Sequence, residues 1–371
     1  SPTHPNPHPS PAQHPTRHTQ LFLFRMMPPL LTLKQFHTLK PEELSGRRIR
    51  IGQTDFELEK LVAKTIYGFV WCAKFTGNES GNQKRAALKV SRTARTGRSY
   101  LEDPFSEARV LEELGCASSG NTDDLCENIV LCYGWSKETD DTYQYSAFAV
   151  EWSEIGDMYF HVIPGKGFEA KNEYGSDRTV VKEVLRGICN GVQHMHTRYK
   201  AHLDLSLENV LLFRKNTESV EYIPKICDFG VTRSLCNRSE RVIPVARNAR
   251  PGKQLYMAPE IAQGQEFTPT LADMYSVGII AFIMMIGHPP YELPSFKDAR
   301  FATIFTSDES GIRKLLNHFK KLDRMSNESV DFLSRLLTPE NDRMSVDEAL
   351  CHPYLAKNFS TENLSVSKQT E

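Results

Sequence analysis

A polar octapeptide near the middle of the chain, from His202 to Asn209, contains two side chains that could do chemistry together. Asp204 and Asn209 lie five positions apart within it. A carboxylate can accept the proton of a substrate hydroxyl, and a carboxamide oxygen can hold a divalent cation, and phosphoryl transfer needs both. Taken alone, the octapeptide only suggests that reaction.

Two further short motifs follow this loop. Asp228-Phe229-Gly230 begins nineteen positions after Asn209, and Ala258-Pro259-Glu260 begins thirty positions after Asp228. In this order and spacing, the three segments resemble the catalytic loop, the metal-binding loop and the end of the activation segment of the eukaryotic protein kinase superfamily. The resemblance covers residues 53–354.

The resemblance implies an α+β, two-lobed fold, with a small antiparallel sheet and one helix in the first lobe and mainly helices in the second. We expect a disordered Pro- and His-rich tail and linker at residues 1–45, the small lobe at 46–151, the large lobe at 152–356 and a flexible tail at 357–371. The implied activity is transfer of the ATP γ-phosphate to protein substrates, with Mg²⁺ or Mn²⁺ bound. Serine or threonine is the expected acceptor, because Ser206-Leu207-Glu208 lacks the Ala-Ala-Arg run typical of tyrosine-specific relatives.

Carried over position by position, the resemblance assigns the catalytic roles. Asp204 is the expected base, and Asn209 and Asp228 are the expected metal ligands. Lys89 would hold the α- and β-phosphates, and Glu107, on a predicted helix, would pair with it. The ordinary alternative for Lys89 is an edge-strand lysine that points to water.

The other nucleotide-binding positions implied by the resemblance lie on a glycine loop, on strands and in the hinge between the lobes. Val150 would be the gatekeeper, and the backbone of residues 151–153 would bond adenine. Asp157 would bond the ribose hydroxyls, unless it is only a solvated helix cap. Ala63 and Thr65 stand where the family has glycines, so the backbone is expected to approach phosphate less closely. The full set is Ala63, Thr65, Gly68, Val70, Ala87, Lys89, Val150, Glu151, Trp152, Ser153, Asp157, Asn209, Leu211 and Asp228.

Two departures from the family pattern bear on regulation and catalysis. Leu203 replaces the arginine that captures a phosphate on the activation segment, so activity is expected not to need that phosphate. Ser206 stands where most serine/threonine members have a lysine, and Lys253 stands where they have the threonine that faces it. Either Lys253 reaches over Ser206 as a catalytic cation, or it points to solvent and recognises acidic substrate residues.

The depleted glycine loop, together with Leu203, is similar to the FIKK-type kinases of apicomplexan parasites. The Phe-Ile-Lys-Lys tetrapeptide that names that group is absent, since Leu88-Lys89-Val90 occupies its place.

Periodicity predicts the elements that hold these residues. Alternating apolar residues predict strands between 54 and 90, at 128–131 and at 146–152. Helical spacing predicts an amphipathic helix over 179–196, and the apolar run 274–286 predicts a buried central helix. By resemblance, Asp273 would anchor the catalytic-loop backbone and Arg343 would pair with Glu260.

Composition limits the partners. A net charge of −1 provides no overall field for binding nucleic acid, so ATP and protein substrates must be recognised locally. We expect a monomer without a transmembrane segment, because the longest apolar run falls short of the ~18 residues that a span needs. Eight scattered cysteines predict reduced thiols and an intracellular, cytoplasmic location. A secreted or exported form stays open, since residues 21–33 are apolar and the chain begins with Ser1.

Two alternatives come from other functional classes. A pseudokinase scaffold would bind nucleotide or partners without turnover, and the loss of two glycines supports it. An ATP-grasp or small-molecule kinase is disfavoured, because Ala258-Pro259-Glu260 and Asp273 belong to the protein-substrate architecture.

Overall fold

The computed structural model describes residues 29–76, 83–94, 104–117, 125–162, 179–215, 221–243, 252–305 and 311–356. The first lobe is built on a seven-stranded sheet in the order β1-β2-β3-β4-β5-β7-β6, antiparallel except between β1 and β2. Its elements are β1 (Leu30–Leu31), α1 (Leu33–Phe36), β2 (Arg48–Ile51), β3 (Thr54–Lys64), β4 (Gly68–Thr76), β5 (Gln83–Ala94), α2 (Pro104–Glu113), β6 (Cys132–Thr139) and β7 (Tyr143–Glu151).

The second lobe is mainly helical. Its elements are α3 (Met158–Val162), α4 (Thr179–Thr197), β8 (Lys200–Ala201), β9 (Val210–Arg214), β10 (Tyr222–Ile226), β11 (Arg233–Ser234), α5 (Pro259–Gln263), α6 (Pro269–Ile286), α7 (Ala299–Phe305), α8 (Gly311–His318), α9 (Asn327–Leu336) and α10 (Val346–Cys351). Short 3₁₀ turns include Leu207–Asn209, which follows Asp204 in the chain, and Gln254–Tyr256, which follows Lys253. The predicted α+β, two-lobed fold is confirmed.

Side-chain alternation explains the sheet. On β2 and β3, Ile49, Ile51, Phe56 and Leu58 are buried, while their neighbours are exposed or half-buried. Successive side chains of a strand point to opposite faces, so this pattern buries one face of the sheet. Trp71 on β4 is also buried in this core.

The segment before the sheet differs from the predicted disordered linker. Leu31, Leu33, Phe36 and Leu44 are buried in the core of the small lobe, and the backbone N–H of Leu33 donates to Glu138 on β6. These apolar side chains bury enough surface to order the segment. The small lobe therefore begins by residue 29 rather than at 46, while residues 1–28 and the predicted tail at 357–371 lie outside the described residues.

The predicted strand at 128–131 is also wrong. The N–H of Val130 donates to Ile226 of β10, and the N–H of Ile226 donates back to Asn128. The N–H of Leu131 donates to the Glu151 carboxylate at 2.9 Å. These backbone groups bond outside the sheet, which explains why β6 begins only at Cys132.

Two helices form the centre of the large lobe. On α4 the apolar residues lie at helical spacing, so one face of the helix is buried. α6 is apolar on all sides and long enough to span a membrane, but 94% of it is buried inside the protein. It is therefore a core helix, and Asp273 in its first half is buried with it. The predicted helix over 179–196 is one residue short of α4, whereas the helix predicted over 274–286 begins five residues earlier, at Pro269.

Candidate active site

A cavity of about 590 Å³ lies between the small sheet and β9 of the large lobe. Ala87 on β5, Val150 on β7 and Leu211 on β9 give it apolar walls. Most of the predicted nucleotide-binding residues line it together: Thr65, Val70, Ala87, Lys89, Val150, Glu151, Trp152, Ser153, Asp157, Leu211 and Asp228.

Three predicted nucleotide-binding residues do not line the cavity: Asn209, which bonds Asp204 beside it, Ala63 and Gly68. Ala63 is exposed on β3, and its neighbour Val62 lines the cavity instead. Gly68 lies against the next strand, where an added Cβ would fall 1.9 Å from the carbonyl oxygen of Val90. The loop between β3 and β4 is a tight turn closed by the N–H of Thr65 donating to Gly68. Gly68 is therefore required by the close approach of two strands.

The hinge is held by buried polar contacts. Glu151 forms an ion pair with Lys225 at 2.8 Å. The hydroxyl of Ser153 donates to the carbonyl of Leu212 at 2.5 Å and accepts the N–H of Gly156. Asp157 accepts the N–H of Phe160 at 3.0 Å, so it caps α3 while it lines the cavity. Both interpretations of Asp157 made from the sequence are therefore compatible with its position.

Lys89 joins the two lobes across the cavity. Its ammonium lies 2.7 Å from Glu107 on α2 and 3.4 Å from Asp228. Burial opposes the charge of Lys89, but the two carboxylates outweigh it and raise its pKa above the ordinary value. Burial likewise opposes the charge of Asp228, yet Lys89 lowers its pKa. The group is thus a cation flanked by carboxylates, and the water-pointing alternative for Lys89 is wrong.

Asp273 on α6 anchors the backbone of the catalytic loop. Its carboxylate accepts the N–H of His202 at 2.8 Å, the N–H of Leu203 at 2.7 Å and a contact from the His196 ring at 2.9 Å. Leu203 has a φ of 61°, a left-handed conformation that a leucine rarely adopts. The two backbone bonds from Asp273 hold the loop in this conformation and present Asp204 to the site.

Asp204, Asn209 and Lys253 form one cluster beside the cavity. The Asn209 amide donates to the Asp204 carboxylate at 2.8 Å and to the Asp204 carbonyl at 2.7 Å. The backbone N–H of Lys253 donates to the other Asp204 oxygen at 2.8 Å. The Lys253 ammonium donates to Ser206 Oγ at 2.7 Å. Asp204 is therefore oriented by hydrogen bonds from two sides.

One carboxylate and one amide oxygen are donors of the type that Mg²⁺ takes, and Asn209 Oδ1 would exchange its 3.3 Å hydrogen bond from the Lys253 ammonium for the ion. Asp228 is half exposed toward the cavity, and the N–H of its neighbour Cys227 donates to the Asn209 carbonyl at 3.0 Å, which brings the two predicted ligands together. Across the described residues, no group of three His, Cys, Asp or Glu side chains could hold a metal alone. Mg²⁺ commonly takes only one or two protein oxygens and completes its shell with water and phosphate.

Two contacts fasten the activation segment to the large lobe. Arg343 is fully buried and bonds Glu260 through both guanidinium nitrogens, at 2.6 and 3.1 Å, as predicted. Arg238 pairs with Asp347 of α10 at 2.7 Å and donates to the carbonyl of His196 at 3.1 Å. The described part of the segment is thus held by protein contacts.

Some residues of the site were missed from the sequence. Ile66 lines the cavity although 84% of it is exposed, and Cys227 lines its floor. Phe148 could have been found, because it lies two positions before Val150 and so shares its face of β7. Lys200 is buried, with its ammonium 2.5 Å from Glu113 at the end of α2 and 2.9 Å from Ser234 Oγ on β11. Its neighbours Arg198, Tyr199 and His202 are polar, so nothing in the local sequence distinguishes this lysine.

Comparison with known proteins agrees with this geometry. The protein kinase domain family matches residues 70–355, and the chain belongs to that family. CDPK-related kinase 1 of Arabidopsis thaliana is 26% identical over 369 residues, which is 94% of this chain and 55% of that protein. Human myosin light chain kinase family member 4 is 28% identical, over 78% of this chain and 65% of that protein. Serine/threonine-protein kinase SRK2F of Arabidopsis is 28% identical, over 60% and 57%. The chain thus spans between half and two thirds of the length of these relatives.

Proposed function

We propose that the protein is a serine/threonine protein kinase that transfers the γ-phosphoryl group of ATP, with Mg²⁺ or Mn²⁺ bound by Asn209 and Asp228. The observation that carries the proposal is the orientation of Asp204. Its two oxygens accept from Lys253 and Asn209 at 2.8 Å each, beside a cavity with the size and apolar walls expected for a nucleotide. The names of the relatives support serine and threonine as acceptors.

In this reaction a phosphoryl group moves from ATP to a hydroxyl oxygen of the protein substrate. The substrate hydroxyl oxygen forms a bond to the γ-phosphorus, the bond from that phosphorus to the β–γ bridging oxygen breaks, and ADP leaves. Asp204 accepts the hydroxyl proton. Lys89 holds the α- and β-phosphates, and its pairing with Glu107 positions its ammonium. A bound divalent ion would neutralise phosphate charge.

Asp204→Asn tests the proposal, because it keeps the shape of the side chain and one of its two accepted hydrogen bonds but cannot accept the proton. We expect transfer of labelled phosphate to a generic protein to fall ~10²-fold or more. The gain in melting temperature on adding ATP with Mg²⁺ should stay as in the wild type. A wild-type protein that ATP stabilises but that transfers nothing would be a pseudokinase, and wild-type transfer by Asp204→Asn would refute the role of Asp204.

We further propose a FIKK-like subtype, a monomeric state and an intracellular location. Leu203 and the two missing glycines support the subtype. All eight cysteines are free thiols, which supports a reducing compartment. Light scattering of the purified protein and fractionation of cells that express it test the last two proposals.

A further inference from the structure

Lys253 occupies the position from which a cation could act on the transferring group. Its ammonium lies 2.7 Å from Ser206 Oγ, 3.3 Å from Asn209 Oδ1 and 3.8 Å from Asp204 Oδ2. All three oxygens lie in the catalytic loop. Asn209 is the expected metal ligand, and Asp204 is the expected base. The side chain is 38% exposed, so it is not sealed away from a bound substrate.

The backbone around Lys253 holds it in this position. Its own N–H donates to Asp204 Oδ1 at 2.8 Å. The preceding residue, Gly252, has a φ of 85°, and a Cβ there would fall 2.4 Å from the Leu203 carbonyl oxygen. Only glycine allows this close approach without strain. The segment that carries Lys253 therefore lies directly against the catalytic loop.

Ser206 has no charge to offer on the loop side. It is completely buried, and a hydroxyl there accepts the Lys253 hydrogen bond. Lys89, another lysine that lines the cavity, is already flanked by Glu107 and Asp228.

We propose that Lys253 is a catalytic residue that contacts the γ-phosphoryl oxygens and stabilises their charge during transfer, from the activation-segment side of the site. The inference rests on the proposed kinase function. Preorganised cations aimed at developing charge are among the largest contributions to phosphoryl transfer. The opposing interpretation is that Lys253 recognises acidic residues of the protein substrate.

The first test is a restoration experiment. Lys253→Thr should lower kcat ~10²-fold with every peptide, acidic or neutral, and adding Ser206→Lys should restore at least ten-fold of that loss. Lys314→Thr on α8, an exposed lysine outside the site, is the matched control and should keep wild-type kcat. A double variant no better than Lys253→Thr would overturn the proposal, as would a loss confined to acidic peptides.

The second test does not depend on turnover. In the wild type with Mg²⁺, ATP should raise the melting temperature more than ADP does, because only ATP offers a γ-phosphate to Lys253. Lys253→Thr should abolish that difference and leave the ADP shift unchanged. An unchanged difference would overturn the proposal. This measurement needs no phosphate transfer, so it tests the Lys253 role separately from the kinase function. Failure of the kinase function would instead appear as a wild-type protein that is inactive toward every acceptor.

Discussion

Replacing Asp273 by Asn should damage both stability and catalysis. The carboxylate is 1% exposed and accepts the backbone N–H groups of His202 and Leu203, together with the His196 ring. An amide retains one accepting oxygen, so at least one buried N–H loses its partner. A buried donor left unpaired costs about 1–3 kcal/mol, and bonds to a charged acceptor lie at the upper end. We therefore expect the free energy of unfolding to fall by about 2–4 kcal/mol.

Catalysis should fall for a separate reason. Leu203 is held at a φ of 61°, which costs a non-glycine residue about 1–2 kcal/mol. When an anchoring bond is lost, the loop can relax toward an ordinary conformation and displace Asp204. A displacement of ~1 Å can cost ~10²-fold in rate. We expect kcat to fall ten-fold or more, measured well below the melting temperature of the variant.

The matched control is Asp323→Asn, on an exposed 3₁₀ turn of the same lobe, which should change neither quantity. Chemical denaturation gives the stability, and phosphate transfer at saturating ATP and peptide gives kcat. If Asp273→Asn retains wild-type kcat and stability, the reasoning about the anchor is refuted. If stability falls but kcat does not, the link from the anchor to Asp204 is wrong.

Three further predictions concern the Glu260–Arg343 pair, His37 and the activation segment. Glu260→Ala should destabilise the protein by ~3–5 kcal/mol, because it leaves Arg343 buried and unpaired, while Glu260→Leu combined with Arg343→Met should recover most of the loss in denaturation experiments. Burial and Arg92 lower the pKa of His37 from 6.5 to about 4. The unfolded chain therefore takes up this proton first, and stability should decline by about 2 kcal/mol as pH falls from 6.5 to 4, a decline that is smaller in His37→Phe. Phosphatase treatment should leave wild-type activity unchanged, whereas Arg238→Ala should lower it several-fold; a large loss after dephosphorylation would contradict this.

Much of the site could be predicted because its residues lie in short motifs. The loop from His202 to Asn209 and the Asp228 motif carry their chemistry within a few positions, and each lies next to a strongly periodic helix or strand. The long-range pairs Lys89 with Glu107 and Glu260 with Arg343 came from the family resemblance, and both are present at 2.7 Å or less. Removing one partner of such a pair leaves an uncompensated buried charge, which is strongly destabilising.

The parts that could not be predicted depend on contacts between distant segments. Within residues 29–47, the described part of the segment before β2, only four apolar residues are buried, so its order depends on a sheet surface formed elsewhere in the chain. Ile129 and its neighbours have strand composition, but their backbone partners lie on β10 and at Glu151. Position 68 requires glycine because β5 passes so close that a Cβ would collide with the carbonyl oxygen of Val90. Local pattern contains no information about such partners.

The two cations missing from the catalytic loop have counterparts in its surroundings. Relative to the family pattern, the loop lacks positive charge at Leu203 and Ser206. Lys200, three positions before Leu203, bonds Ser234 at the start of the activation segment and pairs with Glu113 on α2, so it joins two elements that an activation-segment phosphate would otherwise help to align. Lys253 lies over Ser206. Because Lys200 is paired within the protein and requires no added phosphate, an aligned activation segment without phosphorylation is the expected state of this kinase domain.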